Sequence, residues 1–247
     1  MKWLLALLLL AVPVTAEEVV GGLSQSRISI TSNFDGSEIL IFGAVRREAP
    51  EPDGTLGVIV TIEGPQRPLT VRRKEKRFGI WVNTEAVEVD HAPTFYAVAT
   101  SGEWDEIIRD TEDLRHRISI PRSIRAVGTG VADTDQFIEA VMRIRARQDL
   151  YQRNIGSVDV QENTLFSTSV RLPANLTEGD YTARFVLTRD RAVVHSTTQT
   201  IPVQKVGLER FLYNLAHDQP LIYGLLSLAI AIAAGWLASA AFRFIRN

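Results

Sequence analysis

From Leu221 to Phe242 the chain runs 22 positions without a charged residue. A helix rises about 1.5 Å per residue, so a segment of that length crosses a hydrocarbon layer about 30 Å thick. A transmembrane helix over 220–242 is therefore expected, with a tail at 243–247. Arg243 and Arg246 follow the span at once. Positive residues gather on the cytoplasmic side of a membrane, so the C-terminus is expected there. Tyr223 and Trp236 lie within the span rather than at its ends, so they define its borders poorly.

The other end is also apolar. Lys2 precedes the apolar run Trp3 to Val14, and Val14-Thr15-Ala16 ends on a small residue before Glu17-Glu18. One positive charge, a short apolar run and small residues at a cleavage position make a secretory signal peptide, 1–16, cleaved after Ala16. The alternative is an uncleaved anchor, but the run falls short of the roughly 20 residues a span requires. The two ends together predict a single-pass protein of the inner (cytoplasmic) membrane with its ectodomain in the periplasm.

Lys and Arg total 27 and Asp and Glu 29, with three of the cations outside the apolar ends, which leaves the ectodomain near −5. Nucleic-acid binding relies on cations that neutralise phosphates, so nucleic acid is not an expected partner. With no cysteine, disulfides, thiolate zinc sites and thiol nucleophiles are excluded.

Between the ends, apolar residues alternate in short runs separated by turn residues, as in half-buried strands. Such runs occur at Ile28 and Ile30, Ile39 to Phe42, Val58 to Ile62, Leu69 to Val71, Ile80 to Val82, Val87 to Val89 and Phe95 to Ala99, with Glu48 to Gly54 as a loop. They predict a first immunoglobulin-like β-sandwich module over 17–101. A helical connecting segment follows over 102–152. Trp104, Ile107, Ile108 and Leu114 mark one or two short helices, and a longer helix runs from Thr134 to Tyr151. Asp133 and Gln136 form its capping box, Phe137, Val141 and Ile144 its apolar face, and Arg143, Arg145 and Arg147 suit its C-terminal end. Strands resume in a second β module, 153–205, which has few strands of its own and is expected to be completed by the first module or by the helices. Its stretch Leu176 to Ala183 resembles an immunoglobulin-type corner, in which the Tyr181 hydroxyl bonds back to upstream backbone and Ala183 stands where a cysteine is usual.

Before the span, Leu208, Phe211, Leu212 and Leu215 recur at i, i+3, i+4 and i+7, marking an amphipathic interfacial helix in 206–219 that breaks at Pro220. Within the span, Ser227, Ala231, Gly235 and Ser239 form a four-residue stripe of small side chains. Such a stripe admits a second helix closely, although it also arises wherever Ala and Gly are simply frequent.

No nucleophile elbow, metalloprotease helix, phosphate loop or calcium loop is present. His91, His116, His195 and His217 are too far apart for a local metal site, and the acids from Glu103 to Asp113 lack a ligand period and read as a solvated helix face. Arg72, Arg73, Lys74, Lys76 and Arg77 are a candidate anion contact, although an edge strand or hairpin guarded by its charges is the favoured account of the run. No catalytic residue, cofactor or metal is expected.

The segments GIWVNTEAVEV (79–89), PTFYAVATS (93–101), FIEAVMRIRARQDLYQ (137–152) and LFSTSVRLPANLTEGDYTARFVLTRD (165–190), with the single span after them, resemble an alphaproteobacterial family of predicted single-pass transmembrane proteins of unknown function. The resemblance implies membrane location and carries no catalytic residue across. A loose association of such families with sulfite-exporter-like permeases implies a transporter-accessory role. The expected function is a non-enzymatic, membrane-anchored periplasmic interaction module, an accessory subunit of a membrane transporter on the implied association, with the bilayer and a membrane-protein partner or a second copy as partners. The alternative is a solute or ion receptor with a site between the two β modules.

Overall fold

The computed structural model describes residues 17–31, 33–125 and 134–245. The signal-peptide reading, the capping residue Asp133 and the tail residue Arg246 fall outside them. The protein is mainly β with a C-terminal apolar helix. Strands β1 (Glu17–Leu23), β2 (Ile28–Ile30), β3 (Ser37–Arg47), β4 (Leu56–Glu63), β5 (Gln66–Arg77), β6 (Ile80–Pro93) and β7 (Tyr96–Thr100) come first. Helices α1 (Trp104–Ile107), α2 (Asp110–His116), α3 (Ile120–Ser123) and α4 (Thr134–Ala146) follow. Next are β8 (Tyr151–Asn154), β9 (Asp159–Gln161), β10 (Leu165–Leu172), β11 (Gly179–Arg189) and β12 (Ala192–Lys205), then helices α5 (Leu208–Asp218) and α6 (Pro220–Ile245).

The two β regions, 17–101 and 153–205, share their sheets. One sheet has the order β1-β3-β10-β9 and a second the order β2-β12-β11-β4-β7-β8. β3 pairs with β10, and β4 with β11, so strands from 17–101 and from 153–205 alternate within common sheets. Neither region has enough strands to cover its own apolar faces, and sharing sheets covers both. The longer helix is shorter than expected. It ends at Ala146, and after Asp149 at φ 57 the chain turns into β8, which pairs parallel to β7. Ile144, assigned to the packing face of that helix, is 50% exposed, whereas Phe137 and Val141 are buried. The runs at 80–82 and 87–89 are parts of one strand, β6, because β5 and β6 form a long hairpin as a two-stranded sheet of their own.

The core lies between the inner faces of the two larger sheets. Ile39, Ile41, Phe166 and Val170 of one face Ala183, Phe185 and Leu187 of the other, all buried. Phe166 and Phe185 meet at 6.1 Å between ring centroids. β4 is buried on both faces because α1 covers its outer side, where a Cβ on Gly57 would collide with Ile107. The turn after α2 is tied by the buried Asp113, whose Oδ1 accepts the N–H groups of Ile118 and Ser119 at 3.1 and 2.7 Å. One member of the acidic run is thus a structural cap rather than part of a solvated face.

The expected corner bond is present. The Tyr181 hydroxyl donates to the Thr177 carbonyl at 2.9 Å. Burial pushes the Tyr181 hydroxyl pKa up. Tyr181→Phe deletes only this bond and is expected to lower unfolding free energy by about 1 kcal/mol, read from the denaturant midpoint. An unchanged midpoint would show that the corner contributes nothing.

By its contacts the chain divides into one unit of residues up to Ile28 and from Phe34 to Val203, and a second of Ser29–Asn33 and Gln204–Asn247. In the second, the Val206 N–H donates to the Ile30 carbonyl at 2.8 Å. α5 forms where the amphipathic pattern predicts it, with Leu212 exposed and Leu215 half-buried. It stops at Gln219, whose φ of −139° leaves the helical region, and α6 begins at Pro220. Pro220–Ala241 is the one stretch among the described residues long and apolar enough to cross a membrane, and none of it is buried within the protein.

Candidate functional site

The outer face of the four-stranded sheet carries an arrangement that the sequence does not announce. Strand registers align its outward residues into rows. The central rows are Val20–Ala44–Leu165 and Gly22–Phe42–Ser167, and the next pairs Leu40 with Ser169. Val20, Leu40, Phe42 and Leu165 are 48%, 50%, 48% and 55% exposed. Charged rows close the patch at both ends: Glu18 pairs with Arg46 in an ion pair, and Glu38 stands opposite Arg171. Along the β9 side, Gln161 and Asp159 lie beside Leu165 and Ser167. An apolar centre inside a polar rim is the composition of a protein–protein contact. The central rows contain no ionisable side chain.

Strand β1 is one edge of this sheet, and the short β9 is the other. A bare edge invites a further strand, yet β12 side chains occupy the backbone groups here. His195 Nδ1 accepts the Val19 N–H at 3.1 Å, and Gln199 Nε2 donates to the Gly21 carbonyl at 2.6 Å. The β1 edge is closed at these two groups, and among the described residues the face is left open.

A buried ion cluster fixes the sheet against its neighbour. Glu17 accepts from Arg189 Nη2 at 2.6 Å and Nε at 3.2 Å, and from Arg47 Nε at 2.7 Å. Arg189 also donates to the Gly54 carbonyl at 2.8 Å, and Arg47 donates to the Asn163 carbonyl. Burial pushes the Glu17 carboxyl up, but the hydrogen bonds and charges of Arg189 and Arg47 outweigh it and hold the carboxyl below its ordinary range. The same pairing raises the Arg189 guanidinium against its own burial.

The residues singled out from sequence are dispersed. Ser227, Ala231, Gly235 and Ser239 are all exposed on α6. A Cβ on Gly235 would meet nothing, and Ser227 Oγ donates to the Tyr223 carbonyl at 2.8 Å. Of the basic run, Arg73 is engaged: it pairs with Glu85 at 2.9 Å, donates to Gln136 at 2.7 Å and lies 4.9 Å from the Phe137 ring centroid. Arg77 pairs with Glu75 at 3.4 Å. Arg72 and Lys74 line a recess of about 460 Å³ beside α4, while Lys76 is exposed. His91 and His116 both line a groove of about 1120 Å³ with Arg117, Arg122 and Arg184. Arg184 spends its guanidinium on the carbonyls of His116 and Arg117, at 2.8 and 3.2 Å, and Glu63, Asp135 and Glu139 share the same lining. Among the described residues no group of His, Asp and Glu is placed to hold a metal ion.

The model of the family described as "Putative transmembrane protein (Alph_Pro_TM)" matches residues 18–244. The chain belongs to this family. The family match covers both sheets, the hairpin and α6, so the sheet face is part of the family's own region. No curated protein sequence matches the chain. Among solved structures, the sporulation control protein Spo0M of Bacillus subtilis matches 82% of this chain and 55% of its own length, at 8% identity and a TM-score of 0.28. The chain thus spans about half of that protein. At that score the likeness bears on neither fold nor function.

Proposed function

We propose that this protein is a non-enzymatic, membrane-anchored interaction module that binds a protein partner through the outer face of sheet β1-β3-β10-β9. The observation that carries the reading is the set of exposed apolar rows at Val20, Leu40, Phe42 and Leu165 inside a charged rim. Solvent contact with such a face is costly, and a partner's apolar surface relieves it. The closed β1 edge favours docking on the face over addition of a strand. α6 is the anchor, in the inner membrane with the β region in the periplasm, and its small-residue stripe offers a second contact to a partner's helix. A transporter subunit is the partner type this topology suits. The Tyr181 corner supports an immunoglobulin-like reading of the paired sheets.

A photo-crosslinking residue in place of Phe42 or Leu165 is expected to give one discrete adduct, and the same residue in place of Thr200 none. A doubled mass identifies a second copy and any other mass a different chain. Leu165→Glu should abolish the adduct formed at position 42. Loss of adducts from both face positions in a folded protein sinks the reading.

The receptor alternative has less support. Its site was expected between two β modules, and the shared sheets leave no such boundary. The groove by His91 and His116 carries opposing charges on one lining, which favours neither anion nor cation.

A further inference from the structure

The β5–β6 hairpin has a tip that nothing above uses. Arg73 bonds to Gln136 and lies over Phe137 of α4, and the last four rungs, Lys74–Asn83, Glu75–Val82, Lys76–Trp81 and Arg77–Ile80, run about 10–13 Å further. The turn places Phe78 at φ 50° and Gly79 at φ 86°, the two left-handed residues of a tight hairpin turn. Asn or Asp is the usual occupant of the first position, so turn geometry does not call for a phenylalanine. Phe78 is as exposed as a side chain can be, at 107%, and Ile80 and Trp81 are exposed at 65% and 67%.

Charge sits beside and behind these apolar residues. Arg72 to Arg77 contains five cations and one acid, in a chain that is otherwise weakly acidic. Cross-strand partners share a face and successive rungs alternate, so Ile80 and Trp81 point to opposite sides of the hairpin. An apolar groove on another protein would engage one face. The tip instead carries both kinds of residue around its whole end: Phe78 leads in the turn, Ile80 and Trp81 share the last two rungs with Arg77 and Lys76, and Lys74 stands two rungs behind Lys76. The long stems of Lys76 and Arg77 let their charges reach back from those rungs, which suits a bilayer interface, where aromatic rings lie at the headgroup–acyl boundary and cations lie among anionic phosphates.

We infer that the hairpin tip inserts end-on into an anionic lipid surface, with Phe78, Ile80 and Trp81 in the interface and Lys74, Lys76 and Arg77 on the headgroups. It is a membrane contact additional to α6 and does not depend on the sheet face.

The test uses the full chain with Trp3, Trp104 and Trp236 changed to Phe, reconstituted in bilayers with bromine-labelled acyl chains. One set is phosphatidylcholine alone and the other an equal mixture with phosphatidylglycerol. Trp81 emission is expected to shift to the blue and to lose intensity to bromine in the mixed bilayers, and much less in phosphatidylcholine. Lys74→Ser with Lys76→Ser and Arg77→Ser should remove the difference between the two bilayers, and Phe78→Ser should weaken quenching in both. All of these sites are exposed, so the far-UV dichroism should be unchanged. Water-like, unquenched emission in the mixed bilayers would overturn the inference. So would a blue shift without quenching that grows with protein density, which would place the tip against a second copy.

Discussion

Glu17→Gln is expected to destabilise the β unit by about 3–5 kcal/mol, since removing one partner of a buried ion pair strands the others. The Glu17 side chain is 2% exposed, and Arg189 and Arg47 are 8% and 13% exposed. With the carboxylate gone, both guanidiniums stay buried with fewer acceptors than they were folded around. Typical domain stability is only about 5–15 kcal/mol, so the loss takes a large share of it. The shift in denaturant midpoint, followed by far-UV dichroism, measures the effect; a change under about 1 kcal/mol would mean that the arginines find water or Glu51 instead. The same cluster sets an acid limit. A carboxyl held below its ordinary value near 4.5 contributes stability that is complete above that value and is lost as pH falls through its lower folded value. The wild-type protein should therefore weaken as pH drops below about 4.5, and the Gln variant should weaken less over that window.

Phe185→Ala is the second large change, at about 3–5 kcal/mol for a fully buried phenylalanine. Its ring fills the space that Gly21 leaves open, as the Phe166 ring does at Gly43. Gly21 stands opposite Gly43, and Gly43 opposite Phe166, in one row across three strands. A Cβ on Gly21 would collide with the Phe185 ring, and one on Gly43 with the Phe166 ring and the Val20 carbonyl. The aromatic rings take the place of the missing side chains, as they do over strand glycines in general. A double-mutant cycle tests this: Gly21→Ala should be destabilising alone and neutral or better beside Phe185→Ala, whereas strictly additive effects would refute the packing account.

The candidate face shows why part of the site could not be read in advance. Ile39, Leu40, Ile41 and Phe42 are all apolar, so alternation places two of them on each side of the strand without saying which side is covered. Ile39 and Ile41 are buried and Leu40 and Phe42 exposed only because β3 lies between β1 and β10 with its inner face toward β11. The stripe Ser227 to Ser239 was visible because helical spacing is local, and α6 keeps it open. The basic run was visible too, but not its division into an engaged Arg73 and a projecting tip, which follows from where α4 packs.

By itself the sequence determined the local elements: the span before Arg243, most strand positions, the short helices after Trp104 and the Tyr181 corner, because periodicity and turn chemistry act between near neighbours. Only the tertiary structure decided that β3 pairs with β10 and β4 with β11, that Glu17 is buried between Arg47 and Arg189, and that His195 and Gln199 close the β1 edge. The reason is physical. An alternating strand specifies an apolar face but not its partner, and partners more than a hundred residues away are chosen by which pairing covers the most faces and satisfies the most buried charge at once.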